Sequence, residues 1–233
     1  MKIALVGYGK MGQMIHRAAE ERGHQITACI DPVAAEATAK SISAGGQGLQ
    51  EAEVVIEFSH PEAVMGNLQE LIALGKSTVV GTTGWHHQLA NLSPAIQAAG
   101  IGFLWSSNFS LGVNLFYKIL QGAAQLLDPY AQYDVAAFES HHRHKADSPS
   151  GTAKAIAERI LASMTRKTEV VWETLRDRPP KDSELHFPSL RLGAVPGTHS
   201  VFFDSSADTI ELTHTARNRE GFASGSVVAA EWL

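Results

Sequence analysis

The stretch Ile3-Ala4-Leu5-Val6-Gly7-Tyr8-Gly9-Lys10-Met11-Gly12 decides how the first half of the chain folds. A short apolar run passes directly into the pattern G-x-G-x-x-G, and apolar residues then recur at helical spacing. Strand, glycine turn and helix in this order are typical of a dinucleotide-binding βαβ unit. There the first glycine makes the tight turn, the second lets the backbone approach the pyrophosphate, and the third allows close packing of helix on strand. The pyrophosphate is expected at the positive end of the helix.

An acidic residue, Asp31, ends the second predicted strand, about 20 residues beyond the last glycine, which is the spacing of the ribose-binding acid in such units. A carboxylate here favours a free ribose diol and repels a 2′-phosphate. The next residue is Pro32, where sites that prefer NADPH often carry an arginine. Both residues favour NADH. Lys10 within the glycine loop could reach a 2′-phosphate, so NADPH remains open.

Alternation of strand-like and helical segments up to about residue 105 predicts a parallel sheet with crossover helices. A helix is expected over residues 61–74 with Ser59 as its cap, and one short helix with a loop within 32–53. Two further loops, Gly81-Thr82-Thr83-Gly84 and Ser106-Ser107-Asn108-Phe109, follow the fourth and fifth runs, where parallel sheets bind ligands. The predicted strands cover residues 3–6, 26–30, 54–58, 78–80 and 101–104.

The second half of the chain has a different pattern, which predicts a second domain of α+β class with a mostly antiparallel sheet. The fold class is therefore α/β, a Rossmann-type domain over residues 1–108 completed by a C-terminal helix within 216–233, plus a substrate-binding and oligomerisation domain over 109–215. Helices are predicted at 111–127, 152–164 and 220–232, and strands at 133–139, 168–174, 189–194, 200–204 and 209–213.

The most informative segment is Glu139-Ser140-His141-His142-Arg143-His144-Lys145-Ala146-Asp147-Ser148-Pro149-Ser150-Gly151-Thr152-Ala153. Five consecutive groups that can carry positive charge end a strand, in a chain of formal net charge −5, and they indicate an anion site. Ser150, Gly151 and Thr152 open a helix whose N–H groups can hold a carboxylate. The segment predicts a small dicarboxylate as substrate, and histidine adds proton transfer near neutral pH.

Three other interpretations of this segment compete. A metal site of His141, His142 and His144 is disfavoured, because neighbouring residues of an extended segment point to opposite faces and no set of carboxylates completes the ligands. A phosphate or nucleic-acid patch lacks interleaved aromatic residues and a wider basic field. A solvated charge run remains the ordinary alternative.

Composition excludes several classes. With 233 residues, 44% of them hydrophobic, the chain is long enough for one large or two small domains, and its single cysteine rules out an intramolecular disulfide and a cysteine-rich zinc framework. The mildly acidic net charge disfavours nucleic acid and anionic membranes as partners. No apolar run approaches the length of a membrane-spanning helix. The N-terminal apolar run ends at Gly7 without a small-residue cleavage site, so a first strand is expected there and not a signal peptide. A cytoplasmic protein is expected.

On these motifs the sequence resembles the 4-hydroxy-tetrahydrodipicolinate reductases, also called dihydrodipicolinate reductases, of lysine and diaminopimelate biosynthesis. The segment Glu139 to Ala153 matches the family pattern E-x-H-H-x-x-K-x-D-x-P-S-G-T-A at every defined position. The resemblance also covers the glycine loop, Gly81-Thr82-Thr83-Gly84, the turn Asn108-Phe109-Ser110 and residues 199–233. It implies reduction of a cyclic imine dicarboxylate by NADH or NADPH, and a homotetramer built through the second domains.

By position, the resemblance implies that His141 and Lys145 are catalytic and that His142, Lys145, Ser150, Gly151 and Thr152 bind substrate. The glycine loop is one residue shorter than in some members, and Pro32 stands where the family has arginine, so cofactor preference stays open. The implied cofactor-binding residues are Gly7, Tyr8, Gly9, Lys10, Met11, Gly12, Asp31, Gly81, Thr82, Thr83, Ser106, Ser107, Asn108 and Phe109.

Other functions fit the domain pattern as well. An amino-acid dehydrogenase acting on aspartate or homoserine has a similar build, and a non-catalytic NAD(H)-binding redox sensor would need no cluster of histidine and lysine. A semialdehyde dehydrogenase is rejected, because it needs a thiol nucleophile and the only thiol, Cys29, falls inside the second predicted strand.

Overall fold

The computed structural model describes every residue from 1 to 233 and divides the chain into two compact units. Unit 1 comprises Met1–Leu111 and Glu220–Leu233, and unit 2 comprises Gly112–Arg219. No helix combines the length and the apolar character needed to cross a membrane.

Unit 1 is built on a five-stranded parallel sheet with the strand order β2-β1-β3-β4-β5. All four residues from Ile3 to Val6 are buried, as expected for a parallel strand covered on both faces by helices. The carboxyl ends of all five strands lie at one edge, which places the glycine loop between the loops that follow β2 and β3 and on the same edge as the loops that follow β4 and β5. The strands are β1 Lys2–Val6, β2 Gln25–Ile30, β3 Val54–Glu57, β4 Ser77–Val80 and β5 Phe103–Trp105, and the helices are α1 Lys10–Glu21, α2 Gly46–Glu51, α3 Val64–Ala73, α4 Leu89–Ala99 and α7 Glu220–Trp232.

The parallel sheet, the short helix α2 and the C-terminal helix are confirmed, whereas three details of unit 1 differ from the expectation. Helix α3 begins at Val64 and not at residue 61, because residues 61–63 form a turn in which the Ala63 N–H donates to the His60 carbonyl. Ser59 is not its cap: the N-cap is Ala63, and the Ser59 hydroxyl donates to Glu57 instead. Helix α4 was not predicted, and it carries Pro94 in its interior.

Unit 2 contains a mixed sheet in the order β11-β10-β6-β8-β7, with β9 also paired to β6. Its two longest pairings, β10 with β11 and β10 with β6, are antiparallel, so the expectation of a mostly antiparallel sheet is confirmed. The short strand β8 was not predicted, and its pairings with β6 and β7 are parallel. The elements are α5 Leu111–Leu127, β6 Asp134–His141, α6 Gly151–Ser163, β7 Glu169–Val171, β8 Glu184–His186, β9 Ser189–Arg191, β10 Thr198–Asp204 and β11 Thr209–Thr215.

Helices α5 and α6 supply the apolar cover of this sheet. Leu120 of α5 and Ile156 of α6 are fully buried in one cluster with Phe203 of β10. Strand β6 lies between β10 on one side and β8 and β9 on the other, so the residues at its C-terminal end are enclosed by both neighbours.

Candidate active site

The glycine loop of unit 1 has the geometry that close approach of a dinucleotide requires. Gly7 has φ +91°, and a Cβ there would lie 2.1 Å from the Phe58 carbonyl oxygen. A Cβ on Gly12 would lie 2.2 Å from the Gly7 carbonyl oxygen, so this glycine is needed for the packing of α1 against the loop. A Cβ on Gly9 would meet no atom within 4 Å, which leaves open space in front of the N-terminus of α1. The loop therefore fits a nicotinamide dinucleotide.

Asp31 is tied to the glycine loop. Its Oδ2 accepts a hydrogen bond from the Tyr8 N–H at 2.8 Å, and its Oδ1 accepts from the N–H groups of Val33 and Ala34, both also at 2.8 Å. Burial alone would raise the pKa of Asp31, but these three donors and the nearby Lys40 ammonium lower it below the usual value. The carboxylate is ionised at neutral pH.

The other predicted cofactor-binding residues of the glycine loop differ in how far their side chains are exposed. The Tyr8 hydroxyl lies 2.6 Å from His16 Nδ1, and the ring is almost fully buried, so Tyr8 can offer a cofactor mainly its backbone. Lys10 is exposed as the first residue of α1, whereas Met11 packs partly into the core.

The loops after β3 and β4 are joined by hydrogen bonds. The Gly81 N–H donates to the Glu57 carbonyl, and the Ser59 N–H donates to the buried Thr82 hydroxyl at 2.8 Å. Thr83 is exposed. Glu57 is fully buried, and burial raises the pKa of its carboxyl despite hydrogen bonds from Ser59 and other neighbours. No role is expected for Glu57 from the sequence, and Ser59 is expected only as a helix cap, although their place at a strand end was the available signal.

The loop after β5 forms a turn closed by its own side chains. The Ser106 hydroxyl donates to the Asn108 carbonyl at 2.8 Å, and Asn108 Oδ1 accepts from the Ser110 N–H at 2.9 Å. Ser107 is exposed. Phe109 is buried against Phe58, with ring centroids 5.9 Å apart, so its side chain belongs to the core and any contact with a cofactor falls to its backbone.

In unit 2, β6 brings a buried carboxylate to the start of the basic segment. Glu139 is 0% exposed, and its Oε1 accepts from the Ser150 N–H at 3.0 Å, the Ser189 hydroxyl at 2.8 Å and the Arg191 guanidinium at 3.3 Å. Burial works against ionisation, but these donors and His199 together lower the pKa of Glu139 well below its usual value. A fixed negative charge therefore lies under the segment.

His141 follows on the same face of β6, and it too is buried. Its Nδ1 lies 3.4 Å from Glu139 Oε2, and His199 Nε2 lies 3.3 Å from the same oxygen. Burial lowers the pKa of His141 to about 4, because the loss of hydration outweighs the attraction of Glu139. His199, Lys145 and Arg191 act in the same direction as burial. In this structure the imidazole of His141 is neutral at pH 7.

The remaining basic residues form the turn that follows β6. Lys145 is half-buried, and its ammonium contacts both oxygens of Asp147 at 2.7 and 3.0 Å. His142 is half-buried, whereas Arg143 and His144 are exposed. The sequence predicted one anion site from five basic residues. Three of them are buried at least in part: His141, His142 and Lys145.

Arg191 also fixes the segment. Its guanidinium donates to the Asp147 carbonyl at 2.6 Å as well as to Glu139, which joins β9, β6 and the turn. Sequence analysis missed Arg191, His199 and the role of Glu139. The contact of Glu139 with His141 could have been predicted, because the two residues stand two positions apart and therefore on one face of a strand. Arg191 and His199 reach this site only through the pairing of β9 and β10 with β6.

The helix predicted from residue 152 is present and begins one residue earlier, at Gly151. Ser150 is the N-cap of α6, and its hydroxyl accepts from the Ala153 N–H at 3.1 Å. Its own N–H is taken by Glu139. The Thr152 hydroxyl interacts with Tyr117. Gly151 is exposed, and a Cβ there would meet no atom within 4 Å. Glu139 thus connects His141 with the helix that was predicted to hold a carboxylate.

One group of side chains has the spacing of metal ligands, and it differs from the histidine set considered from sequence. Ligand-type atoms of Glu139, His141 and His199 lie within 4.8 Å of one another. The group joins two strands and includes neither His142 nor His144.

A parallel sheet with a dinucleotide loop, and a second unit with a basic segment at the end of a strand, define the class as a nicotinamide-dependent oxidoreductase. Residues 1–109 match the family described as "Dihydrodipicolinate reductase, N-terminus", and residues 112–233 match "Dihydrodipicolinate reductase, C-terminus".

Individual relatives agree with the family match. The chain is 39% identical over its whole length to the 4-hydroxy-tetrahydrodipicolinate reductase of Christiangramia forsetii, covering 92% of that protein, and 36% identical to the one of Staphylococcus aureus, covering 95%. A dipicolinate-bound dihydrodipicolinate reductase from Paenisporosarcina sp. TG-14 has the same fold, with a TM-score of 0.78 at 22% identity over 99% of this chain and 93% of that one. The chain belongs to the dihydrodipicolinate reductase family.

Proposed function

We propose that this chain is a 4-hydroxy-tetrahydrodipicolinate reductase that adds a hydride and a proton to a cyclic, unsaturated dicarboxylate. The observation that carries the proposal is the link through Glu139, which contacts His141 on one side and the start of α6 on the other. A proton donor and a helix N-terminus that suits a carboxylate are thereby fixed to one another. Reduction of a cyclic dicarboxylate needs a group that donates a proton and a group that binds a carboxylate.

The roles of the residues follow from their surroundings. His141 and Lys145 are proposed to supply the proton, and His142, Lys145, Ser150, Gly151 and Thr152 to hold the carboxylates. Because the Ser150 N–H and hydroxyl already have partners inside the protein, Ser150 is proposed to act by capping the start of α6. The Lys145 ammonium is paired with the Asp147 carboxylate. A substrate carboxylate is expected to compete for that ammonium.

When bound, the reduced nicotinamide supplies the hydride. The chain's own residues must neutralise the negative charge that the hydride brings to the ring, and His141 or Lys145 does so by releasing one proton. In the balanced reaction the unsaturated ring gains one hydride from the nicotinamide and one proton from the protein, which gives the reduced ring. General acid catalysis of this kind contributes a factor of about 10² to 10⁴, and fixed cations next to the developing charge contribute on the order of 3 kcal/mol.

For the cofactor, we propose a preference for NADH, with NADPH also accepted. The ionised Asp31 carboxylate supports it: Oδ1 has two donors and Oδ2 has one, so Oδ2 retains one lone pair for a ribose hydroxyl. Lys40, whose ammonium donates to the Ala34 carbonyl at 2.7 Å, offers a positive charge near Asp31 that a 2′-phosphate could use. The sequence-based argument for dual use through Lys10 stands beside it.

For assembly, we propose a homotetramer formed through the unit 2 sheets. Leu190 of β9 and Ile210 of β11 are 54% and 41% exposed, and covering these apolar side chains in an interface would stabilise the assembly. Sedimentation should give about four times the chain mass of 25.0 kDa. A monomer at micromolar concentration would contradict the proposal. The single buried cysteine fits a reducing compartment, and we propose the cytoplasm.

The substrate assignment is tested by varying the helix start. Thr152→Ala should raise KM for the ring substrate several-fold while kcat falls by less than about threefold, because binding of the ground state and of the transition state is weakened alike. Lys154→Ala, on an exposed position of the same helix, is the control. Oxidation of aspartate or homoserine with no reduction of the dipicolinate precursor would instead indicate an amino-acid dehydrogenase.

A further inference from the structure

The two oxygens of Glu139 have very different surroundings. Oε1 has three donors, whereas Oε2 has no hydrogen bond and lies between two imidazoles, 3.4 Å from His141 Nδ1 and 3.3 Å from His199 Nε2. All three residues are buried, with exposures of 0%, 7% and 4%. Leaving a buried carboxylate oxygen without a donor costs free energy, and a proton on a facing nitrogen would remove that cost.

In a neutral ring the tautomer decides whether Nδ1 carries a proton, whereas an imidazolium carries one on both nitrogens. His141 is not an imidazolium for an identifiable reason. The charged and titratable groups that face it are Glu139 on its own strand, His199 on β10, Arg191 on β9 and Lys145 in the following turn. The Glu139 carboxylate favours protonation of His141, whereas the three basic side chains and burial of the ring disfavour it. A bound dianion would change this balance by offsetting the basic side chains.

We propose that Glu139 and His199 are positioning residues that cause His141 to take up one proton from solvent when a dicarboxylate binds. This rests on the proposed function and specifies where its proton comes from. The imidazolium would keep its Nδ1 proton directed at Glu139 Oε2, and it would give its Nε2 proton to the ring as the hydride is added. His141 would then be neutral again, and the next substrate would bring the next proton. One proton is taken up and one is consumed in each cycle.

His199 keeps the carboxylate in place for this purpose. It stands directly opposite Glu139 in the pairing of β10 with β6, and its Nε2 also lies 3.2 Å from the Ser150 hydroxyl. Rotation of the Glu139 carboxylate would break contacts to Ser150, Ser189 and Arg191 on its other oxygen. Oε2 is therefore held towards the two imidazoles.

The same three side chains have the spacing of metal ligands, but the nearby charges favour a proton. The Arg191 guanidinium lies 3.3 Å from the Glu139 carboxylate, and Lys145 faces His141. A divalent cation would be placed next to both. Tightly bound metal is therefore an outcome that counts against the proposal.

The test is calorimetric titration of the full chain, saturated with NADH and freed of metal with EDTA, using pyridine-2,6-dicarboxylate at pH 7.5. Two buffers of different ionisation enthalpy give the number of protons taken up per site. The wild type should take up nearly one. Glu139→Gln and His199→Gln should take up less than half as many, and kcat of Glu139→Gln should fall 10- to 100-fold with KM changed less than threefold. Glu184→Gln, which removes another buried carboxylate of unit 2, is the matched control and should match the wild type.

Equal proton uptake by Glu139→Gln and the wild type, no uptake by the wild type, or one divalent metal ion per purified chain would each overturn the proposal. If the variants fail to fold, nitrogen NMR of the wild-type histidines decides: His141 must change from neutral to protonated when the probe binds. Turnover without proton uptake would refute this inference alone, whereas proton uptake without any reduction of the ring would refute the proposed function.

Discussion

The carboxylate of Asp31 accepts a hydrogen bond from the backbone N–H of Tyr8 at 2.8 Å, so the acid at the end of β2 holds the glycine loop directly. Through this contact Asp31 can shape the glycine loop and also present a carboxylate to a cofactor. It shapes the loop through the backbone and keeps its negative charge facing the position of the adenosine ribose in such folds.

Asp31→Asn should therefore change cofactor choice. Loss of the negative charge removes repulsion of a 2′-phosphate, and the ratio of kcat/KM for NADPH to that for NADH should rise about 10-fold, equivalent to about 1.4 kcal/mol. Glu36→Gln, at an exposed position of the following loop, is the charge-matched control and should leave the ratio within about twofold. A wild type that strongly prefers NADPH, or an unchanged ratio in Asp31→Asn, would contradict the proposed preference.

Substitution of either proposed proton donor should reduce turnover. His141→Ala and Lys145→Ala should each lower kcat by about 10² to 10⁴, the range expected on loss of general acid catalysis. Binding of NADH, measured by fluorescence, should be unchanged. His186→Ala and Lys154→Ala remove the same residue types elsewhere in unit 2 and serve as controls. Wild-type turnover in either of the first two variants would remove that residue from the mechanism.

Two glycines in helices of unit 1 should respond oppositely to alanine. A Cβ on Gly12 would lie 2.2 Å from the Gly7 carbonyl oxygen, so Gly12→Ala should destabilise unit 1 by about 1 to 3 kcal/mol and weaken binding of NADH. Gly66 in α3 has open space around its Cβ position, and Gly66→Ala should stabilise by about 0.5 to 1 kcal/mol. Urea unfolding measures both. Similar effects of the two substitutions would show that the loop is not packed as described.

Acid should weaken the fold in two stages. The pKa of His141 is about 4 in the folded chain against 6.5 when unfolded, so the unfolded chain binds more protons and stability falls as the pH drops from about 6.5 towards 4. Glu139, whose pKa is lowered on folding, adds a further loss below about pH 4.5. His141→Gln should flatten the upper stage, although His214, whose pKa burial also lowers, leaves part of it.

The measurement is the urea midpoint at pH 7.5, 6.5, 5 and 4, with the exposed His87→Gln as control. If His141→Gln shows the same loss of stability between pH 6.5 and 5 as the wild type, His141 is not neutral in the folded chain.

The long helices were the easiest part of the fold to predict. The bounds 111–127 and 220–232 agree with α5 and α7, since apolar residues recur there at helical spacing and Asp128-Pro129 stops the first. Local signals failed where a turn preceded a helix, as before α3, and where Pro94 interrupts the pattern of α4. The three-residue strand β8 is too short to show a period.

The candidate site was predictable as far as it is contiguous in sequence. The segment from Glu139 to Ala153 contains His141, Lys145 and the cap of α6, and all three were predicted from it. His199 and Arg191 reach Glu139 and His141 only through the registers of β10 and β9 with β6. A shift of one residue in either pairing would turn these side chains to the other face, and one sequence does not fix that register.

Turnover of the natural ring substrate tests the central claim most directly. Pyruvate, aspartate semialdehyde and the upstream synthase would generate the labile substrate, and the nicotinamide absorbance would be followed after adding this protein with NADH and with NADPH. We expect oxidation of the cofactor that depends on every component and is lost in His141→Ala. No oxidation with either cofactor, from a folded protein that binds NADH, would contradict the account.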